Sequence, residues 1–263
     1  MDRRQALASI GAAGVAALLG GAPDLYRFAV PGRSVHARAP GLPKPTVRPD
    51  PGYARGRPLR VIDKTKAVYN LHDLTPAAPP NAIALTIDDG PHPRYTPMML
   101  DLLAEFQVPA TFNMIGIQVT ENPALVQRLA NAGHQVADHT VTHPLNLPRL
   151  SAARIKEEIA GGHDRVAQVT GIAPKFFRAP GGNWSPQVIE VAATHGMICV
   201  DWQVDPRDWS RPGTAHIVRT LLAAQAGDIL LCHDGGGDRT ETIEALRTVI
   251  PALKQRGLVF VAL

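Results

Sequence analysis

From residue 81 onward the chain alternates between short apolar runs and longer stretches with one apolar face. The short runs are bounded by Gly, Pro, Asn or Asp and read as strands over 82–87, 110–115, 134–138, 175–179, 197–204, 228–232 and 258–262. Between them, apolar residues return every third or fourth position over 97–107, 122–132, 151–169, 186–195, 214–225 and 240–256, the spacing of helices that bury one side. Strands and helices in strict alternation predict a parallel sheet covered by helices. Polar clusters gather where the strands end, which favours a barrel over an open sheet. No internal repeat is present. No phosphate-cradling glycine motif follows any strand, so nucleotide binding gains no support.

The first eighty residues follow another pattern. Arg3-Arg4 precede an uncharged stretch of Ala, Gly, Leu and Val from Ala8 to Ala22. A charged start followed by about fifteen apolar residues is a signal-peptide pattern, short of the ~20 that span a bilayer. The twin arginine points to the Tat route. Residues 1–39 are therefore expected to be a leader, with 20–22 and 37–39 competing as the cleavage point. Residues 40–80 read as a Pro-rich linker ending in a short β arm, with strand candidates at 59–62 and 67–71. The remaining domain, 81–263, carries the chemistry. An exported protein with no membrane span after processing is expected, and a monomer.

Charge sharpens this division. The net of +4 over 263 residues is unevenly spread. Residues 1–80 hold 12 Lys+Arg and 5 Asp+Glu, whereas 81–263 hold 15 and 18. The main domain is mildly acidic, which argues against nucleic acid as its ligand. Two cysteines, Cys199 and Cys232, are too few for a disulfide framework and lie in apolar strand-like runs. They read as buried free thiols, with a bridge between them as the alternative.

Five polar clusters fall at the C-terminal ends of predicted strands. Asp88-Asp89-Gly90-Pro91 ends the first. Neighbours on a strand point to opposite faces, so two adjacent carboxylates are suited to different tasks, one to hold a metal and one to act as a base. By itself the stretch is also an ordinary Asp-Gly turn. His139-Thr-Val-Thr-His143 follows the third strand. Imidazoles at i and i+4 meet on one face if the segment takes a helical turn, a common way to bind zinc, although a lone pair at this spacing is more often structural. Arg178 emerges at the end of the fourth strand, before Gly181 and Gly182, whose backbone can approach a ligand closely. Asp205-Pro-Arg-Asp208-Trp209 closes the fifth, where a polar turn is the plain alternative. Leu231-Cys-His233-Asp234 closes the sixth, where a satisfied histidine is. The C-terminal rim of a βα barrel is where active sites are built, and all five clusters converge there.

TIDDG, HTVTH, RAPGG, DPRDW and LCH resemble, in order, the five motifs of the polysaccharide deacetylases with a NodB homology domain, carbohydrate esterase family 4. The resemblance covers about residues 81–263. It implies a distorted (β/α)7 barrel and metal-dependent removal of acetyl groups from sugars. On the matching positions it implies Asp88 as catalytic base and Asp89, His139 and His143 as metal ligands. Arg178 orients the base, and Asp208 orients His233, the catalytic acid. The Gly181 N–H serves the oxyanion, while Trp209 and Leu231 line the acetyl pocket. Ile87 stands where the family usually has Phe, and Gly181 where it often has Tyr. Zinc is the expected ion, and the N and O ligands also suit cobalt, nickel or manganese. The expected substrate is an acetylated polysaccharide or oligosaccharide, with N-acetylglucosamine units of peptidoglycan or chitin foremost. An acetylxylan esterase and a non-catalytic sugar-binding barrel are the alternatives. An intact set of ligands, base and acid argues against the last.

Overall fold

The computed structural model describes residues 65–263. The expected leader, most of the linker and the 59–62 strand candidate lie outside the described residues. The elements are, in order, α1 (Leu71–Leu74), β1 (Ala82–Asp88), α2 (Tyr95–Glu105), β2 (Thr111–Met114), α3 (Gly116–Glu121) and α4 (Pro123–Asn131). There follow β3 (Gln135–Asp138), α5 (Ala152–Thr170), β4 (Phe176–Phe177), α6 (Pro186–Thr194) and β5 (Ile198–Cys199). The chain ends with α7 (Thr214–Leu221), β6 (Ile229–His233), α8 (Thr240–Gln255) and β7 (Val259–Val261).

All strand pairs are parallel, in the order β5-β4-β3-β2-β1-β6. β6 and β7 share one edge of β1. β7 pairs with its first residues, Ala82 to Ala84, and β6 with Ala84 to Asp88. A single parallel bridge, Val204 to Leu230, joins the segment after β5 to β6 and closes the ring. The result is the distorted α/β barrel expected from the sequence.

Alternation along β1 explains both the core and the site. Ile83, Leu85 and Ile87 face outward and pack with Met99, Leu102 and Leu103 of α2 and Leu246, Val249 and Leu253 of α8. Ala82 and Ala84 face inward, where Ala137, Phe176, Val200 and Ile229 fill the barrel and Leu71 and Leu74 of α1 join them. The inward series continues through Thr86 to Asp88, so the same alternation that packs alanine inside delivers a carboxylate to the barrel mouth.

Two local expectations need correction, and one further helix joins the expected set. The 67–71 strand is only two isolated bridges, Val68 to Val200 and Asn70 to Asp228. Asn70 caps a helix instead, its side chain accepting the His72 N–H at 2.9 Å, and an N-cap of this kind outweighs the β-branched pattern before it. The 122–132 helix is preceded by a separate one, α3, because Pro123 takes the first-turn position of α4 and forces a break. The 175–179 and 197–204 strands shrink to two residues each. Arg178 takes the Val200 and Asp201 carbonyls with its Nε and Nη2, so those acceptors leave the ladder for a side chain. Cys199 and Cys232 are free and buried, as read from the sequence, and burial pushes the Cys199 thiol up to about 12. Among the described residues no helix is long and apolar enough to cross a membrane.

His134 introduces β3 in a buried position, with its ring edge-on to Phe112 at 5.4 Å and Nδ1 accepting the Ala110 N–H at 3.3 Å. Burial pushes its pKa from 6.5 down to about 4. The folded chain thus binds fewer protons here than the unfolded chain between those values. The contribution is full above about 6.5 and is lost as pH falls towards 4. His134→Gln, which keeps an acceptor for the Ala110 N–H, should remove a pH-dependent loss on the order of 2 kcal/mol between pH 7 and pH 4. Denaturant titrations at several pH values would show the wild-type and variant curves converging in acid. Parallel curves would refute the assignment.

Candidate active site

The mouth is built outward from Asp88. Its Oδ1 accepts from Arg178 Nη1 at 2.8 Å and from Asn113 Nδ2 at 2.6 Å. Asn113 is the register partner of Asp88 on β2. Arg178 is wholly buried, and its Nη1 also donates to Thr86 Oγ1 at 2.8 Å. With Nε and Nη2 on the Val200 and Asp201 carbonyls, the guanidinium ties β1 to the end of β5 and fixes the carboxylate plane. Oδ2 is left towards the opening, 3.7 Å from His139 Nε2.

Asp89 leaves the strand with φ 74, a left-handed conformation rare outside glycine, which turns its side chain away from the direction β1 would give it. The chain passes so close that a Cβ on Gly235 would stand 2.0 Å from the Asp89 carbonyl oxygen. Asp89 Oδ1 lies 3.5 Å from His139 Nε2 and 3.2 Å from His143 Nε2. The two rings meet edge to face with centroids 4.8 Å apart. His139 Nδ1 donates to the Arg178 carbonyl at 2.7 Å, which turns Nε2 towards Asp89. Burial drives His143 down to about 4, so its imidazole is neutral. Burial also works against the charge on Asp89, yet the surrounding imidazoles, His143 foremost, hold that carboxyl well below the usual range. Two imidazole nitrogens and a carboxylate oxygen, all within 4.8 Å of one another and buried, are a donor set that fits a divalent cation.

Beside Asp88, on the neighbouring strand β6, stands its register partner His233. Its Nδ1 lies 2.7 Å from Asp208 Oδ1, and its backbone N–H donates to Asp208 Oδ2 at 2.9 Å. Thr242 Oγ1 donates to the same Oδ2 at 2.9 Å. Burial alone would lower the His233 pKa, but the charge and hydrogen bond of Asp208 overcome it and raise the group to about 9. Leu231 shares the inward face two residues earlier and is buried. Trp209 lies half-buried in the turn Asp208–Ser210, with Arg207 5.2 Å over its ring.

Gly181 occupies the turn Pro180–Gly182 with φ 62, and a Cβ there would meet Asn183 Nδ2 at 2.9 Å and Leu145 Cδ2 at 3.3 Å. The turn is shaped for glycine, whatever stands there in relatives. Asn183 Nδ2 donates to the Leu145 carbonyl at 3.0 Å and so joins this turn to the segment following His143.

The site residues expected from the sequence, Asp88, Asp89, His139, His143, Arg178, Gly181, Asp208, Trp209, Leu231 and His233, follow the C-terminal ends of the barrel strands or close them. Several of their partners were not expected. Asn113 could have been found as a polar residue in an otherwise apolar strand, and Glu158 as a charge on the buried stripe of α5 with Ile155, Ile159 and Val166. Arg239 is buried, with Nε on the Gly235 carbonyl at 2.7 Å and Nη1 on the Asp208 carbonyl at 3.4 Å, and nothing in its local sequence marks it.

In fold the chain is a NodB-type α/β barrel. Residues 75–200 match the polysaccharide deacetylase family. A chitooligosaccharide deacetylase of Bradyrhizobium sp. (strain ANU 289) is 41% identical over 189 residues, covering 67% of this chain and 86% of that protein. A peptidoglycan-N-acetylglucosamine deacetylase of Bacillus cereus is 41% identical over 182 residues, covering 68% and 84%. The crystal structure of the Bc1960 peptidoglycan N-acetylglucosamine deacetylase superposes with a TM-score of 0.67 at 34% identity, covering 70% of this chain and 88% of that one. The chain belongs to the polysaccharide deacetylase family.

The electrostatics can be tested apart from activity. If Asp208 sustains the proton on His233, Asp208→Asn should bring the imidazole titration from about 9 to about 6.5 or below. Proton NMR of the His233 ring would read this directly. A titration unchanged in the variant would remove Asp208 as the cause.

Proposed function

We propose that the protein is an exported, metal-dependent deacetylase of N-acetylglucosamine units in peptidoglycan or chitin-type polymers, releasing acetate. The observation that carries this reading is that Asp88 and His233 lie side by side as register partners at the barrel end that also holds the cluster of Asp89, His139 and His143. A base, an acid and a cation site within one opening are what amide hydrolysis requires and what sugar binding alone does not. The names of the two relatives support the substrate class.

Asp89, His139 and His143 would hold the ion, zinc by default. A bound divalent ion would acidify water and polarise the acetyl carbonyl. Asp88 Oδ2 takes a proton from the attacking water, because Oδ1 is occupied by Arg178 and Asn113. The Gly181 N–H donates to the oxygen on which charge develops. His233, protonated below about 9, gives its Nε2 proton to the departing sugar nitrogen, which is too basic to leave as an anion. One water is consumed, the C–N bond breaks, and acetate and a free amine result. Trp209 and Leu231 form the wall for the acetyl methyl.

Acetate release from chitooligosaccharides, peptidoglycan and acetylxylan, before and after chelation, tests this. Activity on the first two should vanish with chelator and return with zinc or cobalt. Asp88→Asn should keep its metal through dialysis and lose at least about a hundredfold in kcat. Full activity after exhaustive chelation would sink the metal reading, and activity confined to acetylxylan would move the assignment to an esterase.

Export rests on the Arg3-Arg4 start, the apolar stretch after it and the Pro-rich linker. Replacing both arginines by lysine should strand the chain in the cytoplasm, as read by cell fractionation. Undiminished export of the variant would refute the Tat assignment.

A further inference from the structure

The segment 139–143 carries two of the three clustered donors, and its backbone is neither strand nor helix. Thr140 has φ 67 and His143 φ 60, both in the left-handed region that non-glycine residues enter only when their surroundings compel it. The compulsion comes from three sides. From the end of β3, Asp138 Oδ1 accepts the Thr140 N–H at 3.0 Å. At the start of α3, the Gly116 N–H donates to the Thr140 carbonyl at 2.8 Å and the Ile117 N–H to the Val141 carbonyl at 3.1 Å. From α5, Glu158 reaches up beneath the loop. Its Oε2 accepts the Val141 N–H at 3.1 Å and the Thr142 N–H at 2.8 Å. Its Oε1 accepts from Thr142 Oγ1 at 2.7 Å and Arg154 Nη2 at 3.1 Å.

The surroundings are shaped to let the loop lie this close. A Cβ on Gly162 would stand 3.0 Å from the Thr140 carbonyl carbon, and one on Gly161 would stand 2.7 Å from Val141 Cγ2. On Gly116 it would stand 3.2 Å from Val141 Cα. Glu158 itself is almost wholly buried on a stripe with Ile155 and Ile159, where an apolar residue would avoid the cost of desolvating a charge. Its acceptor positions are spent on the loop between the two histidines and on Arg154. It touches neither histidine ring.

We propose that Glu158 is a positioning residue for the cation site, setting the separation and aim of His139 and His143 by receiving the Val141 and Thr142 N–H groups between them. This rests on the reading of Asp89, His139 and His143 as a cation site. The carboxylate acts as a template that selects one loop conformation, so the ligand nitrogens converge before any ion arrives. Without it, Val141 and Thr142 N–H groups seek other acceptors and the loop relaxes from its left-handed geometry.

The test is the affinity of the metal-free full chain for zinc and for cobalt, measured by competition with a chromophoric chelator, together with the visible spectrum of the cobalt-loaded protein. Glu158→Ala should weaken both ions roughly ten- to hundredfold and alter the cobalt bands. Glu158→Asp keeps the charge near Arg154 but withdraws it from the loop, and should lose affinity to a similar degree even if the alanine variant folds poorly. Glu158→Gln keeps an oxygen for the two N–H groups and should bind within about threefold of wild type. A lower melting temperature of the metal-free aspartate variant, with affinity and spectrum unchanged, would make Glu158 a purely structural residue and overturn the proposal. A wild-type chain that binds neither ion would overturn the cation site itself, and this inference with it.

Discussion

A guanidinium with no access to water lies inside the barrel, and the rest of the mouth depends on how it is accommodated. Burying Arg178 is tolerable only because its donors meet the Thr86 hydroxyl, the Asp88 carboxylate and two backbone carbonyls. Each of those partners has a structural consequence. The carbonyls of Val200 and Asp201 come at the expense of ladder pairing, so β5 is short. The Thr86 contact requires a hydroxyl on the inward face of β1, between the alanines that keep the interior narrow and the carboxylate at its end. The Arg178 backbone carbonyl accepts a hydrogen bond from His139 Nδ1, so the residue that orients Asp88 also orients a member of the histidine pair. Asp88, His139 and the end of β5 are thus all positioned from one buried side chain and its backbone.

The mouth divides into two electrostatic halves. On one side, the Asp88 carboxylate is held against a permanent cation. On the other, an imidazole is kept charged by a carboxylate that is itself fixed by the Thr242 hydroxyl and the His233 N–H, while its carbonyl takes a donor from Arg239. Both halves use the same device, a charged pair buried far enough for the pairing to prevail over solvent. They use it in opposite senses, one to hold a carboxylate against a cation and the other to retain a proton on an imidazole. Between them the Asp89 and His143 environments keep a carboxylate charged and an imidazole neutral.

Much of this was legible in the sequence, for a specific reason. The groups that face the opening lie where apolar strands end, so each is flagged by a sharp change from buried to polar residues, as at Asp88, His139, Arg178 and His233. What escaped notice supports those groups from positions where no such change occurs. Glu158 sits in mid-helix among charged neighbours, and only its place on the apolar stripe distinguishes it. Arg239 follows a glycine-rich loop and resembles any exposed arginine. Asn113 becomes meaningful once the register of β1 and β2 is known. The length of β5 was misjudged because apolar composition cannot reveal that a side chain elsewhere will take the carbonyls of Val200 and Asp201. The 67–71 strand failed for a simpler reason, a capping asparagine that outweighed the residues before it.

The seam of the barrel carries a further consequence. Only one bridge, Val204 to Leu230, joins the chain after β5 to β6. A few residues beyond it, the Asp208 carboxylate and the His233 imidazole meet from the two sides of that same seam, 2.7 Å apart. The contact that charges the imidazole is therefore also a latch on the ring. The ring is thus held shut at its seam by a buried ion pair as well as by the backbone.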